Sequence, residues 1–242
     1  MQEGAILGKE RIIVAVDVDS ADRAEALAKR VAGEVGGLKV GLELVNAAGF
    51  GVLDRMRAAG AERIFYDCKF HDIPNTVAGA SRAAARLGVW MFNVHCSGGY
   101  DMMKAAREAV EDGARSVGVG RALVIGVTVL TSIDQRTLTD ELGVSAAVRD
   151  QVVRLAVLAR KAGLDGVVAS PHEVEAIRSE CGPDFVIVTP GVRPAGADVA
   201  DQKRVMTPSE AVAAGADYLV IGRPITKAND PAGAAREIAS QI

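Results

Sequence analysis

The sequence predicts an α/β protein folded as a (β/α)8 barrel of the TIM type, and three observations predict it. Short β-branched runs alternate eight times with Ala-rich amphipathic segments, with no composition break or Gly/Ser linker between them. The length, 242 residues, suits one such barrel, typically ~250 residues. Hydrophobic residues make up 49% of the chain but aromatics only 4%, so the core must come from Val, Ile, Leu and Ala. That composition fits buried parallel strands covered by helices. The expected organisation is a single barrel domain over residues 1–242. A doubly wound open sheet is the alternative for the same alternation.

Composition also narrows the partners. The formal net charge is −3 and no basic stripe appears, which argues against nucleic acid. Cys68, Cys96 and Cys181 lack metal-type spacing, and an odd count fits a reducing cytosol. Residues 1–10 have neither a basic start nor a long apolar run, so no signal peptide or membrane span is expected and the protein is read as cytoplasmic.

Strands are expected near 11–18, 37–44, 63–69, 91–96, 122–130, 166–170, 185–190 and 218–222. Helices are expected near 21–34, 46–59, 75–87, 100–112, 145–162, 172–180, 208–214 and 231–240. In such barrels the active site lies at the C-terminal ends of the strands, so the residues standing there carry the functional reading. The first strand ends in Asp17-Val18-Asp19. Asp17 shares a face with Ile13 and Ala15, the barrel interior, where a carboxylate can bind sugar hydroxyls. Asp19 or Ser20 can cap the following helix. In the second strand Lys39, Gly41 and Glu43 share one face. A lysine inside an apolar run is costly to bury unless paired; Asp67 on the adjacent strand is a natural partner, and snorkelling to the rim is the alternative.

The third strand is the densest. By alternation Asp67 and Lys69 point one way with Phe65 behind them, while Tyr66 and Cys68 point the other. Asp72 follows, and Ile73-Pro74 opens a helix, where proline is tolerated in the first turn. Alone, this Asp-x-Lys-x-x-Asp cluster reads equally as an exposed ion pair worth ~0–1 kcal/mol. Polar groups at the ends of the other strands favour a site. The fourth strand runs into Ser97-Gly98-Gly99 through His95, which reads as an acid–base group or a hydrogen-bonded core histidine. His71, His95 and His172 show no ligand spacing, so no metal site is indicated.

The fifth strand ends in Thr131-Ser132, whose hydroxyls can bond a heterocycle or cap the turn. Strand seven leads into Gly191-Val192-Arg193, then into 195–206, which lacks helical periodicity and reads as a mobile binding loop. Strand eight leads into Gly222-Arg223. Loops after strands seven and eight frequently bind phosphate. Arg193 and Arg223 supply forked donors, Gly222 an open backbone N–H, and Gln202 a neutral donor.

Across nearly the whole chain these residues resemble the orotidine 5′-phosphate decarboxylase family, whose members act last in pyrimidine nucleotide synthesis. The run from Phe65 to Thr76 carries the family signature. Lys39, Leu130-Thr131-Ser132, Thr189 to Arg193, Asp201 to Arg204 and Ile221-Gly222-Arg223 appear in family order. The resemblance implies a charged network of Lys39, Asp67, Lys69 and Asp72. It implies a homodimer in which Asp72, Ile73 and Thr76 reach the partner's site. Asp17 would bind ribose, Thr131 or Ser132 the pyrimidine, and Arg193, Gln202, Gly222 and Arg223 the phosphate of orotidine 5′-monophosphate. No cofactor is implied, and Lys69 would protonate C6. The runner-up resemblance is to 3-keto-gulonate-6-phosphate decarboxylase, a sugar-phosphate lyase that uses Mg2+ and keeps an acid near the position of Lys39; a lysine there repels a divalent ion. A non-catalytic barrel that senses UMP is the remaining alternative.

Overall fold

In the computed structural model, which describes residues 8–194 and 206–242, eight parallel strands close into a barrel in chain order. They are β1 (Ile12–Ala15), β2 (Gly37–Gly41), β3 (Ile64–Phe70), β4 (Met91–His95), β5 (Leu123–Val127), β6 (Gly166–Val168), β7 (Val186–Pro190) and β8 (Tyr218–Ile221). The ring closes where Ile13 of β1 pairs with both Gly37 of β2 and Val220 of β8. The outer layer comprises α1 (Ala21–Val31), α2 (Leu42–Ala48), α3 (Gly51–Ala58), α4 (Pro74–Arg86), α5 (Tyr100–Val117), α6 (Val148–Lys161), α7 (Val174–Cys181), α8 (Pro208–Ala213), α9 (Arg223–Thr226) and α10 (Pro231–Ala239). The closed barrel expected from the alternation is borne out, and the open sheet is not formed.

Strand alternation builds two separate cores. Ile13, Ala15, Phe65, Met91, Ile125, Val188 and Val220 fill the barrel interior. Their neighbours, among them Ile12, Val14, Leu38, Val40, Tyr66, Phe92 and Ile187, pack outward against the helices. Each such aliphatic or aromatic side chain gains roughly 1.5–3 kcal/mol on full burial, which makes the barrel wall a rigid mount for its upper rim. Among the described residues no helix is long and apolar enough to cross a membrane.

The strands end earlier than alternation predicts. β1 stops at Ala15 and β2 at Gly41, so Glu43 stands on α2 rather than on a strand. The helix expected over 46–59 divides at Gly49, whose φ of 68° breaks α2 from α3. Helix α5 continues past 112 to Val117, where Gly118 in the left-handed conformation closes it. A π-helical turn, Thr137–Glu141, lies inside the polar loop after β5; it has too little apolar periodicity to announce itself. Ser20 caps α1 by accepting from Arg23 N–H at 3.4 Å, while Asp19 pairs with the Arg23 side chain at 2.9 Å on the surface. Of the expected 195–206 loop, only Met206 falls among the described residues. Its carbonyl accepts the Arg193 N–H at 3.0 Å.

Candidate active site

The site is set by an irregularity in β3. Tyr66 pairs with Phe92 of β4, but the next pairing is Phe70 with Val94. Four steps of β3 therefore oppose two of β4, a bulge that keeps side-chain parity while interrupting the ladder between them. Within it Lys69 adopts φ +49°, the only positive φ of a non-glycine among the described residues. Such a conformation costs on the order of 1–3 kcal/mol and concentrates where function requires it. Tyr66 and Cys68 pack on the outer core as alternation predicts. Asp67 and Lys69 turn inward.

Their charges form a chain. Lys69 Nζ lies 2.6 Å from Asp67 Oδ1, and Lys39 Nζ lies 3.3 Å from Asp67 Oδ2. Lys39 also reaches Asp17 Oδ1 at 3.1 Å. Lys39 is buried. Burial pulls its pKa down, but Asp67 and Asp17 outweigh that and hold it above the ordinary lysine value. For Asp67 burial pushes upward, while Lys39, Lys69 and the donated hydrogen bonds prevail and keep its carboxyl below the usual range. At neutral pH Lys39 is therefore an ammonium and Asp67 a carboxylate, with Lys69 at one end of the chain and Asp17 at the other.

This array floors a cavity of about 200 Å3 lined by Lys39, Asp67, Lys69, Asn93, Thr131 and Pro190, together with apolar side chains of the barrel. The aliphatic walls exclude water from one side and leave the charges on the other, as a small-molecule site requires. Of the two candidate hydroxyls, Thr131 lines this cavity; Ser132 is exposed and does not. His95, half-buried at the end of β4, packs its ring 5.4 Å from that of His71. Burial, then His71 and Lys69, lower its pKa, so it is held neutral.

The remaining expected residues stand around the rim. Asp72 does not join the array; it is exposed, and its Oδ1 accepts its own neighbour's amide, Ile73 N–H, at 2.6 Å. Ile73 and Thr76 are exposed at the start of α4, Ile73 at 66%. Arg193 is buried after β7, with Nη1 donating to Val192 O at 2.8 Å. Gly222 caps α9 with φ −106° and ψ −105°, outside the α and β regions open to other residues, and Arg223 is exposed beside it. Gln202 lies outside the described residues. Sequence reasoning passed over Asn93, which donates from Nδ2 to Asp67 Oδ1 at 2.7 Å. The signal was present: Asn93 shares the inward parity of Met91 on a buried strand, where an amide needs partners as Lys39 does.

A family model described as orotidine 5′-phosphate decarboxylase / HUMPS family matches residues 10–238. The orotidine 5′-phosphate decarboxylase of Moorella thermoacetica is 56% identical over 234 residues, spanning 97% of this chain and 92% of that one. The protein of the same name from Halorhodospira halophila is 53% identical over 238 residues, spanning 98% of each chain. Among solved structures, orotidine 5′-phosphate decarboxylase from Lactobacillus acidophilus superposes with a TM-score of 0.84 at 36% identity, covering 95% of this chain and 97% of that one.

Proposed function

The chain belongs to the orotidine 5′-phosphate decarboxylase / HUMPS family, and from that premise we propose that it converts orotidine 5′-monophosphate to UMP without a cofactor, Lys69 protonating C6. The observation that carries this reading is the Lys39–Asp67–Lys69 array at the floor of the cavity. Loss of CO2 from C6 leaves the bonding electron pair in an sp2 orbital that the ring π-system cannot delocalise. An ammonium fixed beside C6 stabilises that pair as it develops and then delivers the proton that forms the new C–H bond. Water restores the proton to Lys69.

Fixing the ammonium beforehand is what makes it effective. Donors and charges already oriented in a water-poor site need no reorganisation as the reaction proceeds. Asp67, held ionised, keeps Lys69 aimed; Lys39 keeps Asp67 ionised. Thr131, the hydroxyl that lines the cavity, meets the pyrimidine and Asp17 the ribose. Arg193, Gln202, Gly222 and Arg223 take the phosphate, whose binding energy, remote from C6, helps assemble the site. The family resemblance implies a homodimer in which Asp72, Ile73 and Thr76 complete the partner's site, and all three are exposed and available for that contact. The catalytic unit is one domain over residues 1–242, working in the cytoplasm, where its three free thiols stay reduced.

The Mg2+-dependent sugar-phosphate reading meets an obstacle in Lys39. Its ammonium stands 3.1 Å from Asp17 and 3.3 Å from Asp67, between the carboxylates a divalent ion would need. A UV assay of EDTA-treated protein with orotidine 5′-monophosphate tests the proposal. Stoichiometric UMP is expected; turnover only of a sugar phosphate with Mg2+ overturns it, and UMP binding without turnover leaves a sensor.

A further inference from the structure

The bulge in β3 breaks the ladder that would otherwise hold this strand to β4. Between the Tyr66–Phe92 and Phe70–Val94 pairings, one residue of β4 takes over the missing bonds. Asn93 Oδ1 accepts the backbone N–H of Lys69 at 2.7 Å, and its own carbonyl accepts the Cys68 thiol at 3.1 Å. Its Nδ2 donates to Asp67 Oδ1 at 2.7 Å. The orientation of this amide is set by chemistry: a backbone N–H only donates, so the oxygen must face Lys69, and an ionised carboxylate only accepts, so the nitrogen must face Asp67. One nearly inaccessible side chain thus grips both ends of the Lys69–Asp67 ion pair, by the backbone of one and the carboxylate of the other.

We propose that Asn93 is the positioning residue for Lys69, holding its left-handed backbone turn and the Asp67 carboxylate in a single fixed relation. This rests on the decarboxylase reading for its consequence and on the geometry of the bulge for its cause. The left-handed turn at Lys69 is unfavourable for a lysine, so it persists through what surrounds it. Asn93 supplies the one side-chain bond to that backbone N–H. Without the amide the turn relaxes toward negative φ, Lys69 Nζ leaves its place, and Asp67 loses a donor that favours its ionised form. A displacement of about 1 Å at a reacting group costs on the order of 100-fold in rate.

Two variants test this. Asn93→Ala is expected to lower kcat about 100-fold or more while KM for orotidine 5′-monophosphate and the affinity for UMP change less than about threefold. Asn93→Asp keeps the shape of the side chain and the acceptor for Lys69, but sets a second carboxylate against Asp67. The pair then shares a proton, and the acid limb of the kcat profile moves up by about one pH unit or more. A carbon-13 NMR titration of the Asp67 carboxyl in that variant reads the same shift without turnover. If the parent protein fails to act on orotidine 5′-monophosphate, the functional reading falls, and the titration still decides the role of Asn93. A kcat for Asn93→Ala within threefold of the parent would overturn the proposal. So would an Asp67 titration in Asn93→Asp that overlays the parent's, or kcat and UMP affinity falling together in proportion to melting temperature.

Discussion

Replacing Lys39 by methionine separates the stabilising and catalytic duties of the charged array. The lysine and Asp67 side chains are 11% and 13% exposed, whereas Lys69 is 31% and Asp17 56% exposed. Only the first two are therefore substantially withdrawn from water. Breaking a buried ion pair by removing one partner costs ~3–5 kcal/mol, because the other charge is left behind. Asp67 keeps Lys69 at 2.6 Å and the Asn93 amide at 2.7 Å, which puts the expected loss at the lower end, about 3 kcal/mol. For a chain of this size each 1 kcal/mol moves the melting temperature by roughly 2–4 °C, so a fall of ~6–12 °C is expected.

The measurement belongs at pH 7. Asp67, with its pKa depressed, contributes stability that is present above its ordinary value of 3.8 and is lost as pH falls through the lower folded value. Lys39, with its pKa raised, contributes stability that is present below its ordinary 10.5 and is lost as pH rises through the higher folded value. Both contributions are complete between these limits. Adding Asp67→Asn to Lys39→Met removes both buried charges and leaves Lys69 free to turn toward water. Calorimetry should then recover the stability to within about 1 kcal/mol of the parent, since neutralising a buried pair is often nearly free. Turnover should stay at least about 1000-fold down in the double variant, because the oriented ammonium is gone. A single variant as stable as the parent would refute the buried-pair account. A double variant that regains turnover would refute the catalytic one.

Lys69→Ala should remove turnover by at least ~1000-fold with the fold intact, and UMP should still bind; a rate near that of the parent would exclude Lys69 as proton donor. Arg223→Ala, at an exposed position, should change the melting temperature little but lower kcat/KM by about 10–100-fold through weakened phosphate binding; unchanged kcat/KM would move the phosphate site elsewhere. Ile73→Asp should shift a dimer toward monomer in sedimentation, with activity falling in step with dissociation, while an unchanged sedimentation coefficient would argue against that interface. Cys68 and Cys96 are buried with thiol pKa values pushed up to about 12, so Ellman's reagent should find neither until the protein is unfolded.

Periodicity revealed the barrel because eight strands and their helices each repeat the same physical demand, and a local error in one leaves the others standing. It also brought Asp17, Lys39, Asp67 and Lys69 to one face, since inward parity on neighbouring strands is a statement about direction that the chain alone can make. What it could not reveal was where regularity stops. Alternation carried through Glu43 as strand, although Gly41 ends β2 and α2 begins at Leu42. The left-handed turn at Lys69 has no sequence marker, because a lysine there violates the local preference that such readings rely on. Asn93 was legible as an inward amide that needs partners, but which partners it takes follows from the bonds missing in β3, visible only once the register shift is known. Ile73 and Thr76 entered through resemblance alone, because an exposed position at the start of α4 carries no periodic signal.

The two departures from regularity are one arrangement seen from two strands. An uninterrupted β3 would hydrogen-bond its backbone to β4 throughout, and Asp67 and Lys69 would stand two residues apart on a straight face, about 7 Å between their Cα atoms. Their heads could meet only by leaning along the strand, with rotamer freedom left to both. Here the bulge and the left-handed turn at Lys69 accompany a separation of 2.6 Å between Nζ and Oδ1. Strain at one residue, on the order of 1–3 kcal/mol, is offset by the aliphatic shells on either side of the barrel wall, each of whose side chains gains a comparable amount on burial. The fold therefore tolerates the two features a stability-optimised strand would avoid, a buried charge and a strained backbone, at the one place where the proposed mechanism calls for a fixed ammonium.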